Sequence, residues 1–184
     1  MSEDAPILTA IIDGDLDSLA ALVNSGEVIN KRYKSRSMGV DTPLCCAVRK
    51  RQLSMVAWLL KRGADPNFPW YRDGEPPLVT AAGARSSDIV KLLLEHGADP
   101  RPKKFSPVVA AVRTNDVHAM ELLLARGADA TEISQLKVLE MVRVKGSILR
   151  MLINAGAKLP PDIENLALSF GALDDTGGGD SYRR

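Results

Sequence analysis

The chain has 184 residues, of which 24 are Lys or Arg and 23 are Asp or Glu, and 45% of the residues are hydrophobic. This composition is typical of one globular domain, and no apolar run approaches the ~20 residues that a membrane-spanning helix needs. The N-terminus lacks the pattern of a secretory signal, and two adjacent cysteines are too few for a disulfide framework, so we expect a protein of the reducing cytoplasm or the nucleus.

Helical units are predicted in chain order from a constant interval of 20 residues between a proline and a glycine. The pairs are Pro6 with Gly26, Pro43 with Gly63, Pro77 with Gly97, and Pro107 with Gly127. In the fifth unit, Leu136 takes the place of the proline before Gly156. A recurring interval of this kind predicts a repeat protein built from one structural unit.

Each unit is predicted to contain two helices. Thr42 and Ser106 are suited to cap a helix whose first residue is proline, since proline lacks only an N–H that has no partner there. An alanine four residues after the proline keeps this inner helix thin, and a second apolar stripe predicts an outer helix that ends at the glycine. These alanines are Ala10, Ala47, Ala81 and Ala111.

Two groups of motifs resemble the ankyrin repeat. The first is Thr42-Pro43-Leu44 with Pro77-Leu78 and Ala81-Ala82, and the second is the segment from Leu59 to Asn67. The resemblance implies an all-α fold, namely an ankyrin-repeat solenoid of stacked helix-turn-helix units with hairpin or finger loops. Cys45, Val79 and Val109 stand where the family has a structural histidine. Asn67 is interpreted as a turn asparagine that bonds its own backbone.

The predicted ankyrin domain comprises residues 1–174. Its units lie near residues 5–30, 41–67, 75–101, 105–130 and 134–160, followed by a C-terminal cap helix over 161–173. The fifth unit departs from the pattern at Leu136, Glu140 and Met141, as terminal repeats do when one face meets water. Residues 175–184 are rich in glycine and include Asp175 and Asp180, so we expect a disordered tail.

Charge is distributed unevenly along the chain. Residues 1–30 carry a net charge of −6, residues 31–72 carry +8, and residues 161–184 carry −3. The resemblance implies that fingers between the units, together with the inner helices, line a concave binding face. We name the segments 31–41, 68–74 and 101–105 the first, second and third fingers; they hold five of the eight aromatic residues.

Cations beside rigid aromatic side chains are the residue types that dominate binding hot spots. We therefore predict a non-enzymatic protein–protein interaction module, an adaptor or an inhibitor, that is monomeric on its own and binds an acidic segment of a protein partner. The predicted partner-binding residues are Tyr33, Arg36, Arg49, Lys50, Trp70, Tyr71, Arg72, Lys103, Lys104 and Arg113.

Two alternatives use the same residues. In the first, Phe68 and Trp70 pack on the next unit and the cations are solvated surface charges. In the second, Tyr33, Trp70, Tyr71 and Phe105 stack bases while the cations hold phosphates, so that the chain binds nucleic acid. The near-zero net charge of +1 disfavours the second alternative.

No catalytic constellation, cofactor motif or metal site is predicted. His96 lies at the end of an outer helix and His118 on another, and neither is placed in a triad. Cys46 is expected to behave as a small buried apolar side chain. The alternating carboxylates from Asp13 to Asp17 lack the downstream glutamate of a calcium loop, so we interpret them as an inter-helix turn.

Overall fold

The structure is a computed structural model that describes residues 5–35, 39–71, 74–131, 133, 144–161 and 163–165. These residues form paired α-helices and a two-stranded antiparallel sheet. The helices are α1 (Pro6–Asp13), α2 (Leu16–Asn24), α3 (Pro43–Arg49), α4 (Leu53–Lys61), α5 (Pro77–Gly83), α6 (Ser87–Glu95), α7 (Pro107–Thr114), α8 (Val117–Ala125) and α9 (Gly146–Asn154). The strands β1 (Tyr33–Ser35) and β2 (Gly39–Asp41) lie between α2 and α3.

The inner helices begin at the predicted prolines. Proline occupies the first turn of α1, α3, α5 and α7. The hydroxyl of Thr42 accepts a hydrogen bond from the Cys45 N–H at 3.2 Å, and that of Ser106 accepts one from the Val109 N–H at 3.3 Å. The two predicted caps are therefore confirmed, and they satisfy backbone donors that the first helical turn leaves without partners.

The turns between inner and outer helices share one backbone conformation. A left-handed residue stands in each of four turns: Gly14 (φ 75°), Arg51 (φ 56°), Arg85 (φ 53°) and Asn115 (φ 53°). Only the first is glycine, the residue that adopts this conformation without a steric cost from Cβ. The other three turns hold a side chain in a conformation that the surrounding structure has to enforce.

The acidic segment of the first unit is an inter-helix turn, as predicted, and Asp15 within it caps α2. The carboxylate of Asp15 accepts hydrogen bonds from the Ser18 N–H at 3.0 Å and the Ser18 hydroxyl at 2.6 Å. These bonds lower the pKa of Asp15. Asp116 caps α8 in the same way, with its carboxylate 3.1 Å from the N–H of Ala119.

The helices stack in two rows. The inner row is formed by contacts of α1 with α3, α3 with α5, and α5 with α7, while α4, α6, α8 and α9 form the outer row. The small residues of the inner row are buried: Ala10, Ala47, Ala81 and Ala111. The leucine pairs of the outer row also pack into the core, and Leu59, Leu93 and Leu123 are fully buried. The predicted ankyrin solenoid is confirmed by this arrangement.

Two asparagines join neighbouring units by hydrogen bonds. Asn67 donates from Nδ2 to Gly97 O at 3.1 Å, and its Oδ1 accepts from the Asp99 N–H at 2.7 Å. The interpretation of Asn67 as a side chain that bonds its own backbone was therefore wrong. Asn30 makes the equivalent bonds to Gly63 O at 2.9 Å and to the Asp65 N–H at 2.8 Å.

The C-terminal part of the stack is described only in part. In the fifth unit, α9 is the outer helix, and Gly156, two residues after its end, has the left-handed φ of 86° that the repeat predicts. The predicted inner helix near residues 134–143, most of the cap helix over 161–173 and the tail 175–184 lie outside the described residues.

Candidate functional site

The first finger is a β-hairpin anchored by a tyrosine. Strands β1 and β2 pair Tyr33 with Asp41 across the hairpin. The Tyr33 side chain is 8% exposed, and its hydroxyl lies 2.7 Å from Glu27 Oε2 and accepts from the Val28 N–H at 3.1 Å. Burial, followed by the hydrogen bond to Glu27, raises the pKa of Tyr33 to about 12. Tyr33 therefore fixes the finger to the loop after α2 rather than offering its ring as a contact surface.

A buried ion pair connects the first finger to helix α3. The carboxylate of Asp41 is fully buried, accepts from the Thr42 N–H at 2.8 Å and pairs with the guanidinium of Arg49. Burial raises the pKa of Asp41, whereas Arg49 and the Thr42 N–H act in the opposite direction. Arg49 is thus the compensating charge for a buried carboxylate, and a variant without it leaves that carboxylate uncompensated.

The same arginine holds the second finger. The guanidinium carbon of Arg49 lies 5.2 Å from the centroid of the Trp70 ring. In parallel, the guanidinium of Arg32 in the first finger lies 4.4 Å from the centroid of Phe68. Two cation–π contacts therefore join the first and second fingers, each worth about 0.5–2 kcal/mol depending on desolvation.

A tight turn shapes the second finger. The Gly74 N–H donates to Tyr71 O at 3.1 Å, and a Cβ at Gly74 would lie 2.9 Å from Tyr71 N and 3.1 Å from the Trp70 ring. Trp70 and Tyr71 lie with ring centroids 6.0 Å apart. Trp70 is half-buried, whereas Tyr71 is 52% exposed. The turn therefore presents Tyr71 to solvent on a supported backbone.

A groove runs between the third finger and the inner helices α5 and α7, and we name it the α5–α7 groove. It comprises a cavity of about 690 Å³ and an adjoining one of about 240 Å³. Lys103, Lys104 and Phe105 line the end at the finger, and Arg113 and Glu75 line both cavities. The groove lies on the face that the family resemblance predicts to be the concave binding face.

The predicted partner-binding residues divide into three groups. Lys50, Tyr71, Lys103, Lys104 and Arg113 are exposed, and Trp70 is half-exposed beside Tyr71. Tyr33 and Arg49 are instead placed to support the fingers, because the first is buried and the second is bound to Asp41 and Trp70. Arg36 and Arg72 lie outside the described residues.

Three residues that shape this face were missed by the sequence analysis: Asp41, Gly74 and Glu75. Asp41 had a signal, since an acid that directly precedes the cap Thr42 is drawn into the buried helix start. The sequence contains no signal for Gly74 or Glu75, because the irregular backbone of a finger is not encoded by a repeating pattern.

The candidates for chemistry have structural partners. His96 Nδ1 lies 2.9 Å from Leu92 O of its own helix, and His118 Nδ1 lies 3.3 Å from Glu121 Oε2. Cys45 and Cys46 are buried free thiols, and burial raises the pKa of each to about 12. A thiol acts as a nucleophile in its thiolate form, so these cysteines are inert at neutral pH.

The described part of the chain holds neither a metal-binding cluster nor a membrane-spanning helix. Within the described ranges, no three His, Cys, Asp or Glu side chains are grouped so that they could hold a metal ion. None of the helices there has the length and apolar character needed to cross a bilayer.

Comparison with protein families agrees with the geometry. A model for ankyrin repeats in three copies matches residues 68–134, and a model for the single ankyrin repeat matches residues 41–70. The two matches together span residues 41–134, half of the chain. The chain therefore belongs to the ankyrin repeat family, whose repeats are generally non-enzymatic modules for protein–protein interaction. No significant match was found among curated proteins.

Proposed function

We propose that this protein is a non-enzymatic interaction module that binds a protein partner through its fingers and inner helices, as an adaptor or as an inhibitor by occlusion. The observation that carries the proposal is the second finger, where Tyr71 is 52% exposed on a turn that Trp70 and Arg49 support. An exposed aromatic side chain on a rigid support buries much area on binding at little entropic cost.

The rigidity of this face favours binding. Arg49 links the buried Asp41 of the first finger to the Trp70 ring of the second, so the two fingers form one connected surface. A surface that is ordered before the partner arrives avoids part of the entropic cost of association. Exposed cations at Lys50, Lys103 and Arg113 extend the same side of the stack and favour a partner with an acidic segment.

A protein partner fits this face better than nucleic acid. Base stacking needs accessible ring faces, and the rings of Phe68 and Trp70 are already in contact with Arg32 and Arg49. Tyr33 is buried in the core. Of the five aromatic residues in the fingers, all of which the structure describes, Tyr71 is the one with an exposed side chain.

We propose a cytoplasmic location, since the two cysteines are free buried thiols. A reducing compartment keeps such thiols unoxidised.

The test is affinity capture from a lysate of the source organism with three proteins: the wild type, the Tyr71→Ala, Lys50→Glu double variant, and Lys91→Glu. Lys91 is exposed on the outer helix α6, so its variant reverses the same charge on the opposite side of the stack. We expect a protein that is captured by the wild type and by Lys91→Glu, and that the double variant binds at least about tenfold more weakly.

Two results would count against the proposal. Equal capture by the double variant would exclude this face as the binding site. Capture that disappears on nuclease treatment, with a steep dependence on salt, would support the nucleic-acid alternative.

A further inference from the structure

A second groove lies on the first unit, and we name it the α1–α2 groove. Its volume is about 790 Å³, and it is lined by residues of α1, of α2 and of the turns that follow them. Pro6, Ala10, Ala21 and Leu22 give it an apolar lining. None of its lining residues belongs to the fingers or to the predicted partner-binding residues.

A short side chain opens this groove. Ala21 stands fifteen residues after the proline of its unit, where the next three units have Trp58, Leu92 and Leu122. Those three side chains are partly buried and pack against the core. In the first unit the space that such a side chain fills is therefore left open.

Positions that line the groove are covered in the second unit. Cys46 and Met55 stand three and twelve residues after the proline of the second unit, where the first unit has Thr9 and Ser18. Cys46 and Met55 are 0% and 2% exposed, whereas Thr9 and Ser18 are exposed lining residues of the groove. The groove thus consists of positions that neighbouring elements bury elsewhere in the stack.

The neighbour that covers the second unit on this side is helical. Helix α3 packs on α1, and Arg62, the C-cap residue of α4, donates to Asn24 Oδ1 of α2 at 3.3 Å. Arg62 corresponds to Ser25, which lines the groove. A helix that lies on the first unit as the first unit lies on the second would therefore occupy the α1–α2 groove.

The charge of the groove is negative. Asp13 and Asp15 line it, no lysine or arginine does, and residues 1–30 contain neither. Asp15 is engaged by Ser18, but no described residue forms a hydrogen bond or an ion pair with the exposed Asp13 carboxylate. Asp13 is the last residue of α1, where the helix dipole also favours a cation. Residues 1–4 contain two acids and no cation, so they do not supply the complementary charge.

We propose that the α1–α2 groove binds a basic amphipathic helix of a second partner, whose apolar face packs on Ala10, Ala21 and Leu22 and whose lysine or arginine side chains pair with Asp13. An apolar helix face in an apolar groove is a common mode of peptide recognition, and the charges select the partner. The inference goes beyond the proposed function, which concerns an acidic segment at the fingers. Two surfaces that favour opposite charges let one chain join two different proteins, as an adaptor does.

The experiment uses the full chain and a fluorescein-labelled helical peptide with leucine and alanine on one face and lysine on the other. The ligand control has glutamate in place of every lysine and keeps the apolar face. Binding is measured by fluorescence anisotropy at physiological salt. We expect the basic peptide to bind and the acidic peptide to bind at least about tenfold more weakly.

Two variants locate the peptide in the groove. Asp13→Lys replaces an attraction by a repulsion and should weaken binding about three- to tenfold. Glu95→Lys is its matched control, because Glu95 is likewise exposed at the last residue of a helix and lies outside the groove, and it should bind as the wild type does. Ala21→Gln changes no charge and keeps a good helix former, but its longer polar side chain covers the apolar lining. We expect it to weaken binding about three- to tenfold.

Four results would overturn the inference. The first is that the basic peptide does not bind, or binds no better than the acidic one. The second is equal weakening by Asp13→Lys and Glu95→Lys, which indicates diffuse attraction. The third is unchanged binding by Ala21→Gln with a wild-type urea midpoint; if that variant does not fold, the comparison of Asp13→Lys with Glu95→Lys still decides. The fourth is a dimer in light scattering that Asp13→Lys dissociates, since a second copy of the chain would then occupy the groove.

The two proposals fail separately. Tyr71→Ala removes the residue that carries the proposed function and leaves the α1–α2 groove intact, so it should bind the basic peptide as the wild type does. Weakening of the basic peptide by Tyr71→Ala as strong as that by Asp13→Lys would place the peptide at the fingers and overturn the second surface.

Discussion

Tyr33 illustrates how one residue type serves two roles in a finger. An aromatic residue among lysines and arginines indicates a contact surface, and it is equally what a short hairpin needs as an anchor. The structure places the ring of Tyr33 in the core, with its hydroxyl against Glu27 and Val28. Tyr33 therefore fixes the position of β1. Because β1 pairs with β2, it also fixes the position of Asp41 on the paired strand.

We expect Tyr33→Phe to lower the free energy of unfolding by about 1–3 kcal/mol, because the backbone of Val28 and the carboxylate of Glu27 lose a partially buried partner. Since the folded pKa is about 12 and the ordinary value is 10.0, the stabilisation is fully present below pH 10 and is lost as pH rises toward 12. Urea unfolding of both proteins on either side of pH 10 measures this difference. A difference that grows above pH 10 would contradict the assignment.

Arg85 stands in a conformation that costs free energy. Its φ is 53°, in an exposed turn where Gly14 stands in the first unit. A side chain in the left-handed region costs about 1–2 kcal/mol. Glycine avoids this cost, but its larger conformational entropy in the unfolded state cancels part of the gain in stability. We therefore expect Arg85→Gly to raise the free energy of unfolding by about 0.5–1 kcal/mol in urea titrations.

Arg51 provides the control for this prediction. It has nearly the same φ, 56°, but its Nε donates to Ser86 Oγ at 3.1 Å. Arg51→Gly removes that inter-unit bond and should gain less than Arg85→Gly. A larger gain at Arg51 would show that backbone strain is not what distinguishes the two positions.

At the scale of elements, the helices could be predicted from the sequence and the fingers could not. Proline at the first helical position and glycine at the end are local signals, so the starts at Pro43, Pro77 and Pro107 agree with the structure. The second finger depends on Gly74 fitting under the Trp70 ring, a contact between residues with no periodic relation. The sequence indicated that Tyr71 is exposed. It also predicted a partner-contact role for Arg49, whose side chain instead supports the fingers, because its contacts join residues with no periodic relation.

We expect Gly74→Ala to displace the Trp70 ring, because the new Cβ would lie 3.1 Å from it and 2.9 Å from the backbone nitrogen of Tyr71. The measurement is tryptophan fluorescence in a Trp58→Phe background, which leaves Trp70 as the single tryptophan. A shift of the emission to longer wavelength would report the exposure of Trp70. Gly83→Ala is the control, since a Cβ there meets nothing within 4 Å, and its emission should equal that of the background.

At the scale of the whole molecule, the repeat register predicted the stack but not what connects its units. The 20-residue interval located inner and outer helices because every unit solves the same packing problem. Inter-unit hydrogen bonds depend on which residue stands four positions after each terminal glycine. Asn30 and Asn67 occupy that position in the first two units, and their side chains bond the next unit. Arg101 and Thr131 occupy it later, and they donate their N–H groups to Asp99 and Asp129, as the N–H of Asn67 does to Asp65.

This difference predicts that the stack can be loosened at a chosen interface. Asn30→Ala removes two bonds between the first and second units, and Asn67→Ala removes two between the second and third. Each variant should lose about 1–3 kcal/mol of unfolding free energy, since it removes two exposed inter-unit hydrogen bonds, each of which contributes about 0.5–1.5 kcal/mol.

Hydrogen exchange distinguishes where each loss is felt. In a linear stack each unit contacts its neighbours, so Asn30→Ala should raise exchange in α1 and α2 and leave α7 and α8 protected. Asn67→Ala breaks the stack near its middle, and should raise exchange in the first two units together, because they lose their attachment to the third as a pair. If both variants raised exchange equally in all helices, the protein would unfold as one cooperative unit, and the coupling between units would exceed the stability of any one of them.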